Sequence, residues 1–242
     1  RGYQLLIASS DDAPDSERQL LKLFRARRCD ALFVASCLPA EDDSYRQLQD
    51  LGMPIIAIDR TLEPERFCSV ISDDCEASLQ LTRSLLQPLP RQIVLIGARP
   101  ELSVSQAREA GFKQAVEGFK GEVLIEHGSA FSRECGRRII DDLLARQGHF
   151  PEALITTSYV LLQGMFDALL EHPTQRPPLR LATFGDTQLL DFLPLPVNAM
   201  GHQHKLIAET ALNLALAAIE EQNYVPGIHA IARNFKQRIH QA

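Results

Sequence analysis

The segment from Gln92 to Phe112, QIVLIGARPELSVSQAREAGF, decides the fold. It opens with a continuous apolar run, Ile93 to Ile96, which is typical of a parallel strand buried on both faces. Gly97 is predicted to end this strand, and Pro100 lies in a loop that cannot continue it. From Ser103 onward, apolar side chains recur at helical spacing, so we predict a strand, a loop and a helix in succession.

The start of this predicted helix carries a candidate anion site. Ser103 and Ser105 offer hydroxyl groups that can cap the helix, and Arg108 follows Ser105 by about one turn on the same face. A helix start with an arginine in its first turns can bind an anion. The alternative is that Ser103 only caps the helix and that Arg108 is a solvated surface charge. This segment alone does not decide between the two interpretations.

Length and composition indicate a globular chain of one large or two ordinary domains, because 242 residues exceed a minimal domain. No apolar run approaches the roughly 18 residues that a membrane span needs, and the first ten residues do not follow a signal-peptide pattern. The five cysteines lack CxxC spacing, which predicts reduced thiols in a cytoplasmic protein. The net charge of −6 argues against this segment gripping nucleic acid by itself, but not against a basic module upstream.

Strands and helices alternate along almost the whole sequence. We predict strands at residues 3–8, 31–35, 55–58, 69–72, 93–96, 122–126, 154–156, 181–184, 197–201 and 228–232. We predict helices at 41–51, 75–86, 103–118, 132–146, 159–170 and 205–221, and a first helix that is capped by Asp15 or Ser16. The last helix is predicted to be core with one edge at a subunit contact, and a charged tail follows the last strand. This alternation predicts an α/β fold with two doubly wound parallel-sheet lobes.

Parallel sheets bind ligands beyond the carboxyl ends of their strands. The residues at those ends are mostly polar, and they are Ser36, Asp59, Arg60, Asp73, Gly97, Gly128, Thr157, Ser158 and Asp186. His202 and His204 could share a strand face as two metal ligands do, but a third ligand at suitable spacing is absent, so no metal site is predicted. Asp73 and Asp74 are more typical of a helix cap than of a cation site. No cofactor-binding or nucleophile motif occurs.

The order of Asp59, Ser105, Arg108 and Asp186 along the chain, with Gly111 and Phe112 within the helical turn after the arginine, resembles the effector-binding core of the lactose-repressor family. The resemblance covers essentially the whole chain. Within the family, the segments ELSVSQAREAGF, ALITTSYVLLQG and LATFGDTQLLDFL look most like the fructose-repressor branch.

The resemblance implies a periplasmic-binding-protein-like fold with three crossovers between lobes. The N-terminal lobe would comprise residues 1–72 plus 204–231, and the C-terminal lobe residues 73–203 plus 232–242. Upstream of Arg1, the resemblance implies a helix-turn-helix DNA-binding domain, a hinge helix, and one further strand and helix. These upstream elements are absent from this sequence.

The resemblance also implies roles for individual residues. Arg108 corresponds to the arginine that grips the effector. Asp59 and Asp186 correspond to acidic residues that accept hydrogen bonds from sugar hydroxyls, which suits an ionised carboxylate. Phe131 corresponds to an aromatic residue that lies against the sugar ring, and the alternative is a plain core residue.

Further contacts are implied for the polar residues Ser103, Ser105, His202 and Gln203. One departure concerns Ser158, since many relatives carry an Asn-Asp pair where this chain has Ser-Tyr, and serine is a weaker substitute. Arg60 and Arg108 together could clamp a phosphate from opposite lobes, because a guanidinium matches phosphate geometry in bidentate fashion. The resemblance implies fructose 1-phosphate as the effector, whereas the residue chemistry alone supports a small phosphorylated polyol.

The leading hypothesis is the effector-binding and dimerisation core of a transcriptional regulator of central carbon metabolism. The sugar phosphate would bind in the cleft between the lobes and cause release of operator DNA, which the missing N-terminal domain contacts. A homodimer is expected, and further pairing to a tetramer stays open. The alternative is a sugar-binding receptor of a transport system, which would need export and normally avoids free thiols. A sugar-phosphate enzyme ranks last, because no paired acid and base occupy recognisable positions.

Overall fold

The computed structural model describes residues 2–39, 42–172 and 179–238. The chain forms two compact units. Unit 1 comprises residues 1–72 and 204–231, and unit 2 comprises residues 73–203 and 232–242. The chain therefore passes from one unit to the other three times, after residues 72, 203 and 231.

In chain order the elements are α1 (Pro14–Ala26), β1 (Leu32–Val34), α2 (Ser44–Gln49), β2 (Ile55–Ile58), β3 (Cys68–Ser72), α3 (Asp74–Arg83), β4 (Gln92–Ala98), α4 (Ser103–Ala115), β5 (Glu122–Gly128), α5 (Arg133–Gln147), β6 (Ala153–Thr156), α6 (Tyr159–Glu171), β7 (Arg180–Phe184), a 3₁₀ helix (Gln188–Phe192), β8 (Val197–Gly201), α7 (His204–Glu220), β9 (Gly227–Ile231) and β10 (Asn234–Lys236). The predicted α/β class with parallel sheets is confirmed.

Unit 1 is built on a four-stranded parallel sheet in the order β1-β2-β3-β9. Its central strand β2 has the sequence IIAI, and the side chains of successive residues point to opposite faces. Ile55 packs into a core that includes Leu21 of α1, whereas Ile56 packs against Ala211 and Ala215 of α7. The sheet is thus buried on both faces, as a continuous apolar run requires.

Unit 2 is built on a six-stranded sheet in the order β10-β8-β7-β6-β4-β5. All pairs in it are parallel except β10 with β8, which is antiparallel. All seven residues of β4 are buried, and the strand runs through Gly97 to Ala98. The prediction that Gly97 ends the strand is therefore wrong. Its missing side chain makes room instead, because a Cβ there would lie 3.0 Å from Nδ1 of His127.

Two glycines allow the helices of unit 2 to pack closely in pairs. A Cβ on Gly111 of α4 would lie 2.0 Å from the carbonyl oxygen of Cys75 in α3. A Cβ on Gly164 of α6 would lie 2.0 Å from the carbonyl oxygen of Arg133 in α5. Because backbone meets backbone at these positions, a side chain cannot move aside. The α3–α4 contact brings the first residue of α3 close to the middle of α4.

Several sequence predictions for unit 1 are wrong. Residues 3–8 form no strand, and Leu5 and Ile7 are exposed, because this segment pairs with none of the described strands. The first helix begins with Pro14 and has Ala13 as its N-cap without a side-chain hydrogen bond, so the predicted cap by Asp15 or Ser16 is wrong. The helix predicted at 41–51 forms only from Ser44 to Gln49, and residues 40 and 41 lie outside the described residues.

The end of the chain agrees with the prediction in part. α7 packs on the core of unit 1 through Ala211 and Ala215, with Ile207 and Leu214 partly buried beside them, as predicted for its core face. Its other edge exposes Leu206 and Leu212, and whether that edge contacts another subunit stays a prediction. The charged tail contains β10, which the sequence did not predict. Within the ranges that the structure describes, no helix is long and apolar enough to span a bilayer.

Candidate functional site

Arg108 is a buried residue of unit 2, only 7% exposed. Its Nε and one terminal nitrogen donate to the two carboxylate oxygens of Asp74, at 3.2 and 3.4 Å. Its other terminal nitrogen donates to the carbonyl oxygen of Thr157 at 2.7 Å. The alternative that Arg108 is a solvated surface charge is therefore wrong. α4 supplies the arginine, the start of α3 supplies the carboxylate, and the loop after β6 supplies the carbonyl.

The guanidinium of Arg108 has donors to spare. A guanidinium carries five N–H donors, and the bonds to Asp74 and Thr157 use one on each nitrogen. The second N–H on each terminal nitrogen has no partner among the described residues. The ring of Phe184 lies under the guanidinium, with its centroid 4.4 Å from Cζ. The arrangement is a fixed cation with two unused donors, which suits an anionic oxygen ligand.

Two residues that sequence reasoning missed complete this cluster. Asp74 is 4% exposed, and its Oδ1 also accepts a hydrogen bond from Nε of Arg233 at 2.7 Å. The Cζ atom of Arg233 lies 5.2 Å from the centroid of the Phe184 ring. Asp73 is the N-cap of α3 and accepts from the amide of Glu76 at 3.1 Å. A helix needs only one capping side chain, so the presence of a second aspartate, Asp74, was the feature of the sequence that indicated a role other than capping.

The serines at the start of α4 do not cap it. The N-cap position is Leu102, without a side-chain hydrogen bond. Ser105 is buried and its hydroxyl donates to the carbonyl oxygen of Ala98 at 2.8 Å, which ties the helix to the end of β4. Ser103 is half-buried, and its hydroxyl has no partner in the part of the chain that the structure describes. The capping prediction is wrong, and Ser103 keeps a hydroxyl available at the helix start.

The loop after β6 places two neighbouring residues differently. The Ser158 hydroxyl accepts from the amide of Val160 at 3.3 Å and caps α6. The Thr157 carbonyl binds Arg108, whereas its buried Oγ1 has no partner within the described ranges. In this loop, Thr157 and not Ser158 therefore contacts the arginine.

Asp186 directly follows Gly185, whose φ of 95° lets the chain turn sharply after β7. Its Oδ1 accepts from a terminal nitrogen of Arg238 at 2.6 Å. Arg238 also binds Asp191 through Nε at 2.8 Å. No hydrogen bond or ion pair joins Asp186 to Arg108 among the described residues. Asp186 thus lies at a strand end, with its charge balanced by the segment after β10.

The remaining predicted site residues of unit 2 are not as buried as Arg108. Phe131 is half-buried and packs against the apolar core of the unit, as the alternative interpretation expects. Gln203 donates from Nε2 to the carbonyl oxygen of Ala232 at 2.8 Å, which joins two of the connecting segments. His202 is half-buried beside it.

Unit 1 carries the other predicted arginine at the end of β2. A terminal nitrogen of Arg60 donates to Oδ1 of Asp12 at 2.7 Å and to the carbonyl oxygen of Ser36 at 3.0 Å. Its Nε is buried without a partner among the described residues. Burial opposes the charge of Arg60, but the hydrogen bond and the attraction of Asp12 outweigh it, so its pKa is raised. Asp59 has a left-handed φ of 67°, a strained backbone conformation that is common at functional sites.

A buried carboxylate fixes the loop that holds Arg60. Glu17 of α1 accepts from the hydroxyl of Ser36 at 2.6 Å, from the amide of Cys37 at 2.8 Å and from the hydroxyl of Tyr45. Burial, together with the hydrogen bond to Glu17, raises the pKa of Tyr45. The same causes raise the pKa of the Cys37 thiol to about 11. The carbonyl of Ser36 is consequently held in place for Arg60.

Comparisons with known proteins agree with this architecture. A family model described as periplasmic binding proteins and sugar binding domain of the LacI family matches residues 1–182. The chain is 46% identical over 237 residues to the fructose operon regulatory protein of Vibrio cholerae, covering 98% of this chain and 72% of that protein. It is 38% identical over 240 residues to the catabolite repressor/activator of Escherichia coli K12, with the same coverage.

Among solved structures, the chain is similar to the Cra transcriptional dual regulator from Pseudomonas putida, which was crystallised with fructose 1-phosphate. The TM-score is 0.95 and the identity 69%, over 98% of this chain and 88% of that chain. The predicted resemblance to the lactose-repressor family is confirmed. The chain belongs to the family of periplasmic binding proteins and LacI-family sugar-binding domains.

Proposed function

We propose that this chain is the effector-binding and dimerisation core of a DNA-binding transcriptional regulator of central carbon metabolism, and that its effector is fructose 1-phosphate. One observation carries the proposal. Arg108 is buried, held by Asp74 on one side and by the Thr157 carbonyl on another, and among the described residues no group uses the second N–H on each of its terminal nitrogens. A buried, fixed guanidinium of this kind favours an anionic oxygen ligand over a neutral sugar.

The similar proteins support the choice of effector and of function. The relative with 69% identity was crystallised with fructose 1-phosphate. The two curated relatives are a fructose operon regulatory protein and a catabolite repressor/activator. All three are regulators by name, which favours a regulator over a transport receptor or an enzyme. A cytoplasmic location follows from this function, because operator DNA is there.

In this proposal, different polar residues at the strand ends bind different chemical groups of the ligand. Arg108 and Arg60 take the negatively charged oxygens, while Asp59 and Asp186 accept hydrogen bonds from the sugar hydroxyls. The contacts that complete this assignment come from Ser103, Ser105, Phe131, Ser158, His202 and Gln203. The Asp59 carboxylate suits its role, because it has no hydrogen-bond partner among the described residues.

Binding regulates DNA through a difference in affinity. Fructose 1-phosphate must bind the DNA-releasing arrangement of the homodimer more tightly than the DNA-binding one, because a ligand with equal affinity shifts nothing. The operator is contacted by a helix-turn-helix domain that lies outside this sequence.

A calorimetric titration of this chain tests the effector. We expect fructose 1-phosphate to bind at least about tenfold more tightly than fructose 6-phosphate, free fructose or inorganic phosphate. Equal affinities for fructose and fructose 1-phosphate would contradict the role of the two arginines.

For the regulatory role, a gel-shift titration of the full-length protein with operator DNA is expected to show release by fructose 1-phosphate. Unchanged DNA affinity at saturating ligand would contradict it.

A further inference from the structure

Asp74 occupies an unusual position for a charged side chain. It is the first residue of α3 and the second residue of unit 2 after the chain leaves unit 1. Its carboxylate is almost completely buried and accepts hydrogen bonds from both Arg108 and Arg233. Arg233 is in turn the second residue of unit 2 after the last crossover. The Asp74 carboxylate therefore links the candidate effector arginine to two places where the chain enters unit 2, namely the start of α3 and the segment after β9.

Helix capping does not explain why this carboxylate is buried. Asp73 already caps α3 through the amide of Glu76. A carboxylate in a first helical turn gains little from the helix dipole, whereas burying an ion is costly. Buried ion pairs are also weak evidence for stability, since apolar replacements of similar volume are often neutral or stabilising. Neither capping nor stability therefore explains the burial of Asp74, whereas its contact with Arg108 does.

The three contacts of Arg108 restrain its guanidinium in different ways. The Phe184 ring lies against its face and limits tilting. The Thr157 carbonyl holds one terminal nitrogen. Asp74 binds the opposite edge through two nitrogens at once, and so it fixes how the guanidinium is turned in its own plane. That rotation decides where the two unused N–H groups point.

We infer that Asp74 is a positioning residue for the effector, acting through Arg108. This inference rests on the proposed function, because it requires Arg108 to contact the ligand. Asp74 itself touches no ligand: it fixes the guanidinium before binding, so that the ligand does not have to order it. The sharing of its carboxylate with Arg233 ties this preorganised arginine to the segment that enters unit 2 after β9.

A double-mutant cycle tests the inference. We expect Asp74→Asn to weaken binding of fructose 1-phosphate by roughly tenfold or more, because a charge-assisted pair is replaced by a single weaker acceptor. In an Arg108→Ala background, Asp74→Asn is expected to change the remaining affinity less than about twofold, since it acts only through that arginine. Asp73→Asn is the matched control: it keeps the cap and is expected to leave affinity unchanged.

A merely structural role gives a different result, because Asp74→Asn would then weaken binding equally in both backgrounds, and that would overturn the inference. Asp74→Asn leaves two buried guanidinium groups without their carboxylate, so urea unfolding must accompany the titrations. If this variant is unfolded, Asp74→Glu in the same cycle decides, since it retains the charge but shifts the carboxylate by one methylene. Wild-type protein that does not bind fructose 1-phosphate overturns the proposed function. Wild-type binding with an unchanged Asp74 variant overturns only this inference.

Discussion

The two candidate effector arginines, Arg108 in unit 2 and Arg60 in unit 1, both lie beyond the carboxyl ends of parallel strands, but they are held differently. Arg108 is bound on one edge by Asp74, a residue of α3, and by the carbonyl oxygen of Thr157. Arg60 is bound by Asp12, a loop residue whose side chain is 40% exposed, and by the Ser36 carbonyl. The carboxylate that binds the first guanidinium is buried, whereas the carboxylate that binds the second is partly exposed to solvent.

This difference indicates separate contributions to binding. A preorganised buried arginine loses little entropy when a ligand arrives, and its charge is poorly screened by water. An arginine paired with an exposed carboxylate gains less from that pair and can exchange it for a ligand at small cost. We therefore expect Arg108 to provide most of the affinity and Arg60 to provide preference for phosphorylated ligands.

The largest effect is expected for Arg108→Ala. Losing two charged hydrogen bonds to the ligand corresponds to a loss of roughly 100-fold or more in affinity for fructose 1-phosphate. Stability should also fall, because Asp74 loses one of its two guanidinium partners while buried. Calorimetry and urea unfolding measure the two effects. Lys113→Ala on the same helix is the control, as this lysine is exposed. Wild-type affinity in the Arg108 variant would refute its role.

Arg60→Ala is expected to have a smaller and more selective effect. Fructose 1-phosphate should bind roughly tenfold more weakly, while the affinity for free fructose changes little, because the lost partner is an anion-binding group. Titration of both ligands against the wild type and the variant gives the ratio. Arg18→Ala in the same unit, on α1, serves as the control. Equal losses for both ligands would mean that Arg60 does not read the phosphate.

Gly111→Ala is expected to disturb the helix contact that holds Arg108 without changing the contacts of Arg60. The added Cβ would meet the Cys75 carbonyl at 2.0 Å, so α3 and α4 must move apart, at a cost of about 1–3 kcal/mol. Because these helices carry Asp74 and Arg108, we expect a loss of roughly threefold in affinity for fructose 1-phosphate. The preference that Arg60 provides for the phosphorylated ligand should persist.

Urea unfolding and the two-ligand titration measure these changes in the Gly111 variant. Ala110→Ser, an exposed substitution on the same helix, is expected to change neither quantity. Unchanged stability of Gly111→Ala would show that the close helix contact is not rigid.

The smallest effect concerns the loop that supports Arg60. The pKa of the buried Cys37 thiol is raised to about 11, so at pH 8 it holds little of the reactive thiolate. Iodoacetamide should therefore modify the half-buried Cys29 and Cys75 before Cys37, as followed by peptide mass spectrometry. Early modification of Cys37 would indicate that the loop opens, and hence that Arg60 is held less firmly than its contacts suggest.

The sequence predicted the order of elements well, because strand and helix periodicity is a local property. Its failures are non-local or depend on pairing. Residues 3–8 have the composition of a strand but pair with none of the described strands, and β10 is a three-residue edge strand defined by its pairing with β8. A glycine after an apolar run predicts a strand end, but Gly97 continues β4 and leaves space for His127.

The sequence allowed the assignment of single site residues whose local sequence context is distinctive. Arg108 was assigned from its position after a strand and a serine loop, together with the family resemblance. Its partners were not predictable, because Asp74 lies 34 residues away from it and Arg233 lies 159 residues from Asp74. Burial of Arg108 follows from these distant contacts, so the sequence could not distinguish it from a surface charge.

A crystal structure of this chain grown with fructose 1-phosphate tests the central claim most directly. We expect ligand oxygens within hydrogen-bond distance of both terminal nitrogens of Arg108, with the bonds to Asp74 and to the Thr157 carbonyl retained. A ligand bound away from Arg108, or an Arg108 that leaves Asp74 to reach it, would contradict the account.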